Sequence, residues 1–244
     1  MQIRVVVPII GQQWAEEAEK AYGELARPGT VVSAMAIEKG PASIETHRDE
    51  ALAVPGVLFE VQKAEQQGVD AVVIDCMGDP GLEAARELVS IPVVGPAQAA
   101  MHLAAALAHR FSIITVLEQT IPVVEEQVVR YGLAGRLASV RAVNIPVLEI
   151  KGDKERVAAA LVEEGLRAVR EDGAHLIIPG CTGMIGLARR VQEGLAERGC
   201  PVPVIEPPWA ALKLAESLVD MGLSHSKRTY PAPPDKEIVG YEFF

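Results

Sequence analysis

No apolar run of the roughly eighteen residues needed to span a bilayer occurs in the 244-residue chain, so a transmembrane helix is not expected. Basic clusters are missing as well. Lys plus Arg is 23 against 33 Asp plus Glu, a formal charge of −10, and no patch could track a phosphate backbone, which removes nucleic acid as a partner. The chain has only three cysteines, Cys76, Cys181 and Cys200, at spacings that fit no zinc pattern; the odd count argues against a disulfide framework. Free thiols are expected. Also absent are a phosphate-binding glycine loop, a G-x-G-x-x-G after the first strand and an H-x-x-x-H spacing, so neither a cofactor nor a metal is expected. Met1-Gln2-Ile3-Arg4 runs into a strand-like segment with no signal-peptide pattern, and the expected compartment is the cytoplasm.

What is present is an ordinary globular composition, 49% hydrophobic and 23% charged, long enough for one large domain or two smaller lobes. Short Val/Ile-rich runs alternate with amphipathic helical patterns, which is the signature of βα units around a parallel sheet covered on both faces. The fold class is therefore α/β. Eight strands are predicted, at 3–8, 31–37, 71–75, 92–94, 112–116, 139–144, 174–179 and 202–205, with helices at 14–25, 54–67, 82–88, 154–171 and 187–198 between them.

The chain also repeats itself. Gly68-Val-Asp-Ala-Val-Val-Ile-Asp-Cys76 overlays Gly173-Ala-His-Leu-Ile-Ile-Pro-Gly-Cys181. Glu16-Glu17 through Tyr22-Gly23 overlays Glu125-Glu126 through Tyr131-Gly132, and Pro96 through Ala104 overlays Pro207 through Ala215. Two similar lobes follow, each with a four-stranded parallel sheet, and Cys76 and Cys181 become equivalent positions. Both cysteines lie in glycine-rich loops just past a strand, where helix N-termini and backbone N–H groups gather in open parallel sheets. If the lobes face each other, one thiol stands on each side of whatever fills the cleft between them.

Inverting a stereocentre by proton transfer needs a base on one face of a carbon and an acid on the other, and two symmetry-related thiols supply both. A thiol of pKa near 8.5 is only about 3% thiolate at pH 7, so one of the pair must be made more acidic. Asp75 and Asp79 flank Cys76 and disfavour its thiolate, whereas Thr182 follows Cys181 as a hydroxyl donor. Cys181 is thus expected as the resting thiolate and Cys76 as the resting thiol. Cys200, outside the repeat, reads as structural. The Glu16-Glu17 and Glu125-Glu126 pairs read as solvated helix faces. Asp79 before Pro80 suits a helix N-cap as well as a ligand contact, and Thr120 suits a cap as well as the cleft border. Glu45 reads equally as a ligand contact or as a buried carboxylate paired with His47 or Arg48.

These residues resemble the hydantoin racemases, within the cofactor-independent aspartate/glutamate/hydantoin racemase superfamily. Gly40-Pro41-Ala42-Ser43-Ile44-Glu45 is similar to the family's G-P-x-S-I-E segment, Cys76-Met77-Gly78-Asp79-Pro80-Gly81 to its C-F-x-D-P-G loop, and Gly180-Cys181-Thr182-Gly183-Met184 to its G-C-[AT]-G-M loop. Ser226-Lys227 with Tyr230 matches an S-K…Y near the C-terminus. The resemblance implies that Cys76 and Cys181 are the acid/base pair, that the C-terminal helix returns to the first lobe (1–96 plus 209–244, against 97–208), and that the chain forms a homo-oligomer around a small-molecule substrate. Pro8, Ile9, Ile10, Gln12, Ile44, Met77, Gly78, Asp79, Thr120, Thr182 and Gly183 are the expected substrate contacts.

One segment departs from the family. Where N-P-N-[ST] is usual, this chain has Val7-Pro8-Ile9-Ile10-Gly11. A buried substrate group left without a partner costs about 1 to 3 kcal/mol, so a ureido substrate such as allantoin is disfavoured relative to a 5-alkyl or 5-aryl hydantoin. An amino-acid racemase, an allantoin racemase, a maleate isomerase, an arylmalonate decarboxylase-like reaction or a binding protein with vestigial thiols are the alternatives.

Overall fold

The computed structural model describes residues 1–241. Among the described residues, seven strands form two parallel sheets. β1 (Gln2–Val7), β2 (Val31–Ala36), β3 (Ala71–Ile74) and β4 (Val93–Val94) lie in the order β2-β1-β3-β4; β5 (Phe111–Thr115), β6 (Leu137–Ala142) and β7 (Ile177–Pro179) lie in the order β6-β5-β7. Eight α-helices connect and flank them: α1 (Gln12–Leu25), α2 (His47–Gln66), α3 (Leu82–Leu88), α4 (Pro96–Leu107), α5 (Ile121–Arg130), α6 (Lys154–Arg170), α7 (Ala188–Glu197) and α8 (Pro207–Asp220). The α/β class is as expected from the alternating pattern.

Side chains alternate across each sheet, and each face has its own core. Val5, Val7, Ala71 and Val73 pack on one face of the first sheet with α1 and α8, while Val6, Val72 and Ile74 pack on the other with α2 and α3. In the second sheet Ile114 and Ile177 face α6 and α7, and Phe111, Ile113 and Ile178 face α4 and α5. Ala211, Leu212 and Ala215 of α8 belong to the core on β1 and β3, so the last helix returns to the first sheet.

Two predicted elements differ. The expected eighth strand at 202–205 is reduced to a single bridge, Ile177 to Val204, leaving the second sheet with three strands. Pro201 and Pro203 carry no N–H, so the segment cannot sustain a ladder. The second helix begins at His47, not near Pro55. Thr46 caps it by accepting a hydrogen bond from the Asp49 N–H at 3.2 Å, Asp49 and Glu50 complement its positive end, and Pro55 is carried inside the helix.

The C-terminal segment packs against the first lobe as far as Tyr230. Lys227 Nζ donates to the carbonyls of Arg86 (2.8 Å), Glu87 (3.2 Å) and Val89 (2.7 Å), satisfying the end of α3. His225 Nε2 accepts the Val93 N–H at 2.9 Å, and Arg86, buried, reaches the Tyr230 hydroxyl at 3.3 Å. The S-K…Y motif is thus occupied with anchoring the tail. The terminal Phe243 and Phe244 lie outside the described residues. No described helix is long and apolar enough to cross a membrane.

Candidate active site

Both sheets reverse their strand order next to a central strand, between β1 and β3 and between β5 and β7, which is where open parallel sheets form ligand crevices. Cys76 follows β3 and Cys181 follows β7. The two crevices face one another and merge into one cavity of ≈ 560 Å³, lined by both cysteines. At each cysteine the chain makes the same turn: Asp79 N–H donates to the Cys76 carbonyl and Met184 N–H to the Cys181 carbonyl, both at 3.1 Å. The N–H two residues on reaches each sulfur, Gly78 to Cys76 Sγ at 3.3 Å and Gly183 to Cys181. Gly180 permits the second loop, because a Cβ there would stand 2.8 Å from Thr115 Cα and 2.9 Å from the Ile114 carbonyl oxygen.

The loops are tied together. Thr182 Oγ1 donates to the Asp75 carbonyl at 3.2 Å, and Tyr22 donates its hydroxyl to Asp75 Oδ1 at 2.8 Å. Tyr131, the repeat counterpart of Tyr22, donates to Asp79 Oδ2 at 2.6 Å. Glu45 Oε1 accepts the Val147 N–H at 2.7 Å, its bond running to the opposite lobe and not to His47 or Arg48. Lys151 lines the cavity with its ammonium paired to Glu17 and 4.2 Å from the Trp14 ring centroid.

Burial dominates the electrostatics of the thiols. It pushes Cys181 up to about 11, against the lowering influence of the Gly183 N–H and of Lys151. Cys76 is raised well above an ordinary thiol, first by burial and then by the nearby Cys181, Asp79 and Glu50, while the Gly78 N–H opposes the rise. Cys181 is therefore not a resting thiolate at neutral pH as expected from its loop, because loss of water outweighs the amide donors. Burial also lifts the Asp79 carboxyl to about 6, although Tyr131, Gln98 and Ala97 all donate to it.

Of the expected substrate contacts, Pro8, Ile9, Ile44, Met77, Gly78, Thr120, Thr182 and Gly183 line the cavity. Ile10, Gln12 and Asp79 do not. Ile10 is 39% exposed with its N–H bonded to the Pro41 carbonyl, and Gln12 borders a separate shallow depression. Asp79 is buried and caps not α3, the helix expected from Pro80, but α4, accepting the N–H groups of Ala97 (3.1 Å) and Gln98 (2.9 Å). Thr120 caps no helix with its side chain; its hydroxyl bonds to Thr115 Oγ1 and the Leu117 carbonyl, each at 2.7 Å. Sequence reasoning missed Trp14, Glu17, Glu50, Gln127 and Lys151 as cavity residues. Glu17 was legible only as one of a surface pair; Glu50 lies in the helical turns that Pro55 concealed.

Comparison with known proteins agrees with this geometry. The family model described as Asp/Glu/Hydantoin racemase matches residues 12–215. A hydantoin racemase of Pseudomonas sp. (strain NS671) is 42% identical over 98% of this chain and 95% of its own length. One of Rhizobium meliloti is 44% identical over 87% of each chain. The solved allantoin racemase from Klebsiella pneumoniae is 39% identical with a TM-score of 0.92, covering 100% of this chain and 98% of that one. With two parallel sheets meeting at a shared cysteine-lined cavity and relatives matched along nearly its whole length, the chain belongs to the Asp/Glu/hydantoin racemase family of isomerases.

Proposed function

We propose that the chain is a cofactor-independent racemase of a 5-substituted hydantoin or a similar cyclic imide, with Cys76 and Cys181 as the two proton-transfer groups. The observation that carries this reading is the matched pair of cysteine turns opening on one cavity. One sulfur, as thiolate, takes the proton from the stereocentre; the electron pair moves into the adjacent carbonyl as an enolate; the opposite thiol returns a proton to the other face. Atoms balance and the two sulfurs exchange protonation states, which solvent resets between turnovers. Cys181, the less elevated thiol, is the favoured base of the pair, and the Lys151 ammonium assists its ionisation and the developing enolate.

The walls favour a less polar substrate than allantoin. Val7 and Ile9 present aliphatic surface where the family's usual asparagines would bond a ureido group. A polarimetric screen of 5-benzylhydantoin, allantoin, aspartate and glutamate tests this directly. Faster turnover of 5-benzylhydantoin is expected; faster turnover of allantoin, the substrate in the name of the Klebsiella relative, would reverse the substrate assignment while keeping the reaction. No exchange at the stereocentre in D2O with any of these compounds would leave a binding protein.

A further inference from the structure

Two side chains on the cavity wall carry polar atoms without a hydrogen-bond partner among the described residues. Glu50, in the first turn of α2, is half-buried and lines the cavity; among the described residues no hydrogen bond reaches its carboxylate. Its Oε2 would stand 3.7 Å from a Cβ at Gly78 and Cys76 Sγ 3.6 Å from the same point, so carboxylate and thiol flank Gly78, and the carboxylate's charge is felt at the thiol. Gln127, in α5, is 4% exposed and also lines the cavity. Its Nε2 is buried without a hydrogen-bond partner among the described residues. A buried amide donor left unpaired is costly, and natural interiors rarely tolerate one.

The two groups come from helices that approach each other where the first turn of α2 meets the C-terminal half of α5. His47 of α2 lies 3.9 Å from Glu126 of α5, and the Glu50 carboxyl, one turn after His47, feels the charge of Arg130, one turn after Glu126. Gln127, adjacent to Glu126 and three residues before Arg130, falls within this facing stretch. Here a carboxylate can only accept and an amide can donate. Their complement is a ring edge carrying an N–H beside a C=O, which is a cis-amide held by ring closure.

We propose that Glu50 and Gln127 read the cis-amide edge of the substrate ring, Glu50 accepting its N–H and Gln127 donating to its carbonyl. The proposal rests on the cyclic-imide reading above and sharpens it. Open-chain amino acids have no such edge, so the pair selects cyclic amides and imides over free aspartate or glutamate. Glu50 and Gln127 are specificity-determining contacts; the protons at the stereocentre remain with the two thiols.

The test compares 5-benzylhydantoin with its 1-methyl and 3-methyl derivatives in wild type, Glu50→Met and Gln127→Leu, by calorimetric binding and by exchange at the stereocentre in D2O. Wild type is expected to bind one methyl derivative roughly 10- to 100-fold more weakly than the parent, and Glu50→Met to abolish that preference. Gln127→Leu is expected to weaken binding of the parent roughly tenfold while its thermal midpoint holds or rises, since the wild-type amide is unpaired. A structural glutamine would show the opposite, lower stability with unchanged binding. Exchange in wild type with a methyl preference that survives Glu50→Met, or with no methyl preference, overturns the proposal and leaves the racemase reading standing. Glu50-dependent binding without exchange supports the proposal and overturns that reading; absence of both binding and exchange overturns the two together.

Discussion

Tyr131 of the second lobe donates its hydroxyl to Asp79 of the first, 2.6 Å away, in the loop that carries Cys76. Asp79 holds a positive φ of 48° and its carboxylate is the N-terminal cap of α4, so one buried side chain fixes the thiol loop, the following helix and the opposite lobe. Gly95 is required beside it, because a Cβ there would lie 2.3 Å from Asp79 Cγ.

Asp79→Ala should therefore cost about 2 to 4 kcal/mol, from the unpaired Tyr131 hydroxyl and two uncapped N–H groups. Gly95→Ala should cost a similar amount by collision. The double variant should lose less than the two singles together, because removing the carboxylate makes room for the new methyl. Urea unfolding of the three variants checks this, and strict additivity would show that the two positions do not interact.

The pH profile follows from the thiols. The base must be ionised, and Cys181 is pushed up to about 11 while Cys76 is raised well above the ordinary value. In the direction that uses Cys181 as base, kcat/KM should rise about tenfold per pH unit from 7 toward 10 without a falling limb in that range, as Cys76 keeps its proton. Lys151→Met should move the rising limb to higher pH, and Lys151→Arg should restore it. Initial rates for each enantiomer in matched buffers provide the measurement.

Acid should loosen the tail. Burial and Arg86 hold His225 down at about 4, below its ordinary 6.5, so the folded protein binds this proton more weakly than the unfolded chain. Its stabilising contribution is present above about pH 6.5 and is lost as pH falls toward 4. With the ring partly solvated, this amounts to about 1 kcal/mol. Thermal melts at pH 7 and pH 4.5 should show a larger drop for wild type than for His225→Gln.

The parts of this molecule that were legible in the sequence are those governed by local rules. Alternating Val/Ile runs revealed the sheets, and the repeat revealed Cys76 and Cys181 as strand-end loop positions, where Pro8, Ile9, Thr182 and Gly183 also lie. The prolines at 201 and 203 were visible, but their effect on the last strand depends on a ladder that only the assembled sheet defines. Glu50, Gln127 and Lys151 escaped because nothing in their own segments marks them. Glu50 depends on a helix start set by the Thr46 cap, Gln127 on which face of α5 turns to the cavity, and Lys151 on an irregular loop reaching Trp14 and Glu17 across the cleft.

The paired-thiol chemistry meets its most direct test in deuterium uptake at the stereocentre of each separate enantiomer of 5-benzylhydantoin, with wild type, Cys76→Ala and Cys181→Ala. Wild type should label both enantiomers with loss of optical activity. Each variant should lose inversion by a factor of roughly a thousand or more, and any residual labelling should fall on opposite enantiomers in the two variants. Racemisation near the wild-type rate in either variant, or labelling of the same enantiomer by both, would contradict a proton passed between these two sulfurs.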